Sequence, residues 1–175
     1  MKSIRNNVFE TNSSSTHSLT FVSKGSKIKY KLSESGYLEA GFDDYILEST
    51  YECYTTVEEK LRFVLTLLAS FYYEYKVKSH YQKMGTFGYV GYTTKKELQS
   101  LDDYKEILRL VQEKIPNCKG LRFRKHSFNE NGVVLGSMDT HHLQDCHSLH
   151  EYLKKNNVTL EQLLFSPRIA IQMNR

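Results

Sequence analysis

"TTVEEKLRFVLTLLASFYYEY", from Thr55 to Tyr75, is the stretch on which the fold reading turns. Val57, Leu61, Val64, Leu68, Phe71 and Tyr75 recur at alternating spacings of four and three, the pattern of one apolar helix face. Thr55-Thr56 followed by Glu58-Glu59 supplies a capping box at its start, because a threonine hydroxyl and a glutamate three residues on can satisfy each other's backbone N–H groups. A stripe of fewer than about three heptads is read as packing against a sheet rather than as a dimerisation seam.

Beyond this helix, Gly85, Gly88 and Gly91 alternate with Phe87, Tyr89 and Tyr92. With no Gly-Lys-Ser/Thr ending, they suggest an aromatic loop or hairpin tip and not a phosphate-binding loop. Thr94 and Glu97 open a second helix with apolar positions Leu98, Leu101, Leu108, Val111 and Ile115, and Pro116-Asn117 closes it. Gly120 to Phe128 and Gly132 to Met138 read as strands joined through Asn131-Gly132, a strong hairpin signal. A short helix over His147 to Lys155, another starting at Thr159 with Gln162 as capping partner, and a closing strand from Arg168 to Met173 complete the chain.

On the N-terminal side, Ser18–Ser23 and Ser26–Leu32 alternate apolar and polar residues around Lys24-Gly25, which predicts a β-hairpin. Residues 33–54 show no clean period and read as loops with one short strand. The expectation is a single α+β domain over residues 1–175, with a mostly antiparallel sheet, two longer helices and short C-terminal helices.

The 175 residues, 39% apolar and 25% charged, describe an ordinary globular composition. No segment approaches the roughly 18 apolar residues of a membrane span and no signal-peptide core follows Met1, so a cytoplasmic protein without membrane contact is expected. Cys53, Cys118 and Cys146 are odd in number and far apart, which argues against a disulfide framework or a thiolate zinc site. Thirteen tyrosines point weakly to a contact surface.

Net charge is only +4, but it is unevenly distributed. No Lys or Arg lies between Lys31 and Lys60, where Glu39, Asp43, Asp44, Glu48 and Glu52 interleave with Tyr45 and Tyr51. Such a stretch could enter a positively charged nucleic-acid channel, its carboxylates standing in for phosphates, or it could be a solvated acidic loop. In "LRFRKH", Arg122 and Arg124 would share one strand face with Phe123 opposite, and with Lys125 they form a candidate nucleic-acid contact.

Two segments hold the remaining candidates for chemistry. The loop Asn12, Ser13, Ser14, Ser15, Thr16 offers hydroxyls and amides that could hold a phosphate or a partner's backbone, or could satisfy the loop's own backbone. His17 beside it, with Asp139 and His141 in "GSMDTHHLQDCHSLH", could serve a small hydrolase or transferase acting on a phosphate-bearing substrate. Neither a Gly-x-Ser-x-Gly elbow nor a His-Glu-x-x-His pattern is present, so no metal and no cofactor are expected, and binding is favoured over catalysis.

"VFETNSSSTHSL" (Val8–Leu19), the Asp-x-His stretch before a late helix and the closing "LLFSPRIAI" (Leu163–Ile171) together resemble a family of small proteins of bacteriophages and bacterial mobile elements. That family more often reads Asp-His directly and Phe-Asn-Pro, where this chain has Asp139-Thr140-His141-His142 and Phe165-Ser166-Pro167, so no strict catalytic pair carries over. The resemblance implies an anti-CRISPR-like role: binding a host defence nuclease of Cas9 type, or its guide RNA/DNA complex, and inhibiting it. Direct nucleic-acid binding and the hydrolase or transferase are the alternatives.

Overall fold

A computed structural model describes residues 16–21, 27–42, 51–73, 93–134 and 146–174. In chain order the elements are β1 (Thr16–Phe21), β2 (Leu38–Ala40), β3 (Tyr51–Tyr54), α1 (Val57–Tyr72), α2 (Lys95–Ser100), α3 (Asp102–Lys114), β4 (Leu121–Phe123), α4 (Leu149–Lys155), α5 (Leu160–Phe165) and β5 (Ile169–Asn174). The class is α+β.

The start of α1 forms as its sequence dictates. Thr56 Oγ1 accepts from Glu59 N at 3.3 Å, and the Glu59 carboxylate accepts from Thr56 N at 2.9 Å and Thr55 N at 2.8 Å. The expected one-sided stripe is too narrow a description, however. Leu65, Leu67 and Phe63 are as fully buried as Leu61 and Val64, because β2, α3, α4 and α5 all pack on this helix. A helix apolar on nearly every face belongs in the middle of a core.

The sheet also differs from expectation. Instead of one mostly antiparallel sheet, the described residues form two small ones, an antiparallel sheet in the order β1-β5-β3 and a parallel pair of β2 with β4. The described residues do not show the expected hairpin: β1 pairs with β5 from the other end of the chain, and residues 27–31 carry no strand. Lys24-Gly25 lies outside the described residues. Pairing with β5 sets Leu19 opposite Ile171, which Tyr54 faces from the other side, so the central strand buries Ile171 completely. Alternation told which residues could be strand but not which strand would bury them.

The second helix is broken at Leu101, whose ψ of 140° is extended, giving α2 and α3. Asp102 and Asp103 then occupy the first turn of α3, where carboxylates are favoured by the helix dipole. The Asn129–Gly132 turn does form, with Gly132 at φ +73° and the Asn129 side chain accepting from Asn131 N and Val133 N. Asn129 N donates to Val133 O at 2.8 Å and a bridge pairs Phe128 with Val134, while residues 135–138 of the expected second strand lie outside the described residues.

Gly120 at φ +135° turns the chain into β4, with Leu108 Cδ1 3.3 Å from where a Cβ would stand. Phe123 then points inward and stacks on Phe42 at 5.6 Å and on Phe128, edge to face, at 4.9 Å. Arg122 and Arg124, one residue to either side, are therefore directed outward and exposed. No helix among the described residues is long and apolar enough to cross a membrane.

Candidate anion-binding groove

The parallel pairing of β2 with β4 sets Glu39 beside Arg122. Arg122 lies over the Tyr37 ring at 5.5 Å and donates from Nη1 to Ser35 Oγ at 3.1 Å. Arg124 reaches back to the Glu39 carboxylate at 3.2 Å. Together these side chains form one wall of an open groove.

Residues 29–31 line the same groove and are tied to the first turn of α1. Val57 N donates to Lys29 O at 2.9 Å, and Lys31 N donates to the Glu58 carboxylate. Arg62 stands farther along the helix, over the Tyr54 ring at 5.5 Å, and its Nε is buried without a hydrogen-bond partner among the described residues. The groove has a volume of about 650 Å³ and is lined by five cations, Lys29, Lys31, Arg62, Arg122 and Arg124, with Tyr30 and Tyr37 among them.

Three carboxylates also line it, and each is engaged. Glu58 takes Lys31 N, Glu39 takes Arg124, and Glu59 caps α1. Burial works against ionising Glu59, but hydrogen bonds from the Thr56 and Thr55 backbone and the Thr56 hydroxyl, with the charge of Arg62, hold its carboxyl below the usual range. The charged side-chain groups of Lys29, Lys31, Arg62 and Arg122 form no ion pair within 4.0 Å among the described residues. The charges of Lys29, Lys31 and Arg122 are available to an external anion, while that of Arg62 already acts on Glu59.

No protein-family model, curated protein or solved structure matches this chain. The functional reading rests on the residues themselves.

Of the residues singled out from sequence, Arg122, Arg124 and Glu39 meet in the groove, and Lys125 is exposed just beyond β4. Thr16 and His17 lie on β1, and Tyr51 and Glu52 on β3, in the other sheet. There the register brings His17 and Glu52 level, each opposite Met173 of β5. Asn12, Ser13, Ser14, Ser15, Asp43, Asp44, Tyr45, Glu48, Asp139 and His141 lie outside the described residues. His147 and His150 are exposed at the start of α4, where Ser148 Oγ caps Glu151 N at 3.2 Å.

Sequence reasoning missed Lys29, Lys31 and Arg62. The first two carry a signal, the Lys-Ile-Lys-Tyr-Lys alternation of residues 27–31, but the same alternation fits a hairpin strand. Arg62 carried none, being one polar residue in an apolar helix.

Proposed function

We propose that the protein acts by binding, and that its groove takes the phosphate backbone of a nucleic acid. The observation that carries this reading is the set Lys29, Lys31, Arg62 and Arg122, which line one groove with no ion pair to a carboxylate among the described residues. Arginine and lysine held in a concave surface release counterions from nucleic-acid phosphates when they bind, which makes affinity fall steeply with salt.

The resemblance of Val8–Leu19 and Leu163–Ile171 to mobile-element proteins supports a setting in host defence. There the nucleic acid would be the guide RNA or target DNA of a Cas9-type nuclease, and occupying it would inhibit the enzyme. Blocking such a nuclease through the acidic stretch is the less supported route, since Glu39, its member in the groove, is already engaged by Arg124.

Titration of a labelled oligonucleotide across a salt series tests the reading. Arg122→Ala is expected to weaken binding roughly tenfold and to lower the salt slope by about one, while Lys105→Ala, on the outer face of α3, changes neither. Equal binding by both variants, or affinity insensitive to salt, would refute it. Glu39→Gln is expected to tighten binding several-fold and steepen the slope, because Arg124 is released to contact a phosphate; weaker binding would show that Glu39 positions Arg124 instead.

A further inference from the structure

Ile28 and Tyr30 are the exposed large hydrophobic residues among the described part of the chain, at 42% and 39%. They stand at alternate positions between Lys27, Lys29 and Lys31, on a segment that forms no strand. That segment is nonetheless fixed, since Lys29 O and Lys31 N are both bonded to the first turn of α1. Tyr30 is thus presented between two anchored residues at the edge of the cationic groove it helps to line.

A site that read phosphates alone would have no use for an anchored, exposed aromatic ring. It would also favour duplex over single strand, because a duplex carries the higher linear charge density. An aromatic side chain beside cations reverses that preference, since only unpaired bases offer their faces for stacking. Building on the nucleic-acid reading above, we infer that the groove selects single-stranded nucleic acid: Lys29, Lys31 and Arg122 hold the phosphates while a base stacks on Tyr30 against Ile28.

The test compares three labelled probes of equal length: an oligothymidylate strand, a duplex, and a strand with the same phosphates but no bases. Wild-type protein is expected to bind the oligothymidylate most tightly. Tyr30→Ala should weaken that binding roughly tenfold or more, leave the duplex and the abasic strand unchanged, and be rescued by Tyr30→Phe, which keeps the ring. The chain has no tryptophan, so quenching of tyrosine emission by the oligothymidylate, reduced in Tyr30→Ala, provides a direct reading of stacking.

Duplex or abasic strand bound as tightly as oligothymidylate would overturn the single-strand inference and leave the phosphate groove standing, as would equal losses by Tyr30→Ala on all three probes. Failure of all three probes to bind at low salt would overturn the nucleic-acid reading, and this inference with it. Tyr30 is exposed and lies outside the core cluster of the described residues, so the variant is expected to fold as the wild type does.

Discussion

Phe63→Ala is expected to destabilise the protein by about 3–5 kcal/mol, the cost of removing a fully buried aromatic side chain from a core that can collapse only partly around the gap. Phe63 is 0% exposed and its ring centre lies 6.0 Å from that of Tyr152, which is also completely buried. Because α1 is covered by β2, α3, α4 and α5, the gap would open where several elements meet, and no single one could move to fill it. Chemical denaturation would show the loss as a lower midpoint with an unchanged slope. Phe63→Leu, which keeps most of the volume, should cost about 1–2 kcal/mol. A loss below about 1 kcal/mol for the alanine variant would mean that α1 is not the centre of the core.

The second large effect concerns Lys60. Its side chain is 1% exposed, and its Nζ donates to Ser166 O at 2.8 Å, tying α1 to the turn that leads into β5. Burial pulls its ammonium from the ordinary 10.5 down to about 8, with Glu59 and then Cys53 opposing the shift. The unfolded chain therefore binds more protons than the folded one between pH 8 and 10.5. Stability with respect to this group rises with pH through that window, and its cost is present in full below it.

Lys60→Met removes the charge while keeping an unbranched chain of similar length. At pH 7 the variant is expected to equal or exceed the wild type in stability, by up to about 2 kcal/mol, since replacing a buried ion by an apolar group of similar volume is often neutral or favourable. The lost bond to Ser166 O limits the gain. As pH rises toward 10 the difference should shrink, because the wild-type amine deprotonates and ceases to be penalised. A constant difference from pH 7 to 10 would show that Lys60 keeps its proton, and a strongly destabilised variant would show that the Ser166 bond outweighs desolvation.

Arg122 and Arg124 were legible as an outward pair because one residue of alternation, with Phe123 between them, is enough to set their faces. The capping boxes at Thr56, Thr94 and Thr159 were legible for the same reason, each being closed within four residues. Lys29, Lys31 and Arg62 were not legible as partners of Arg122. The first two are carried by a segment resting on α1, the third by α1 itself, and Arg122 arrives from β4 about half the chain after the lysines and about a third after Arg62. No local pattern encodes a convergence of that kind.

By itself the sequence determined the position and start of α1, the two late helices, the closing strand and the Asn-Gly turn. Each depends on backbone groups and side chains a few residues apart, whose preferences act before the chain has folded. Tertiary structure alone decided that β1 joins β5 rather than a neighbouring hairpin strand, that β2 and β4 run parallel, and that α1 is enclosed rather than laid on a sheet. These choices are made by burying apolar surface between distant segments. That contribution is non-directional and scales with the area removed from water, so it selects among pairings that local alternation leaves equally possible.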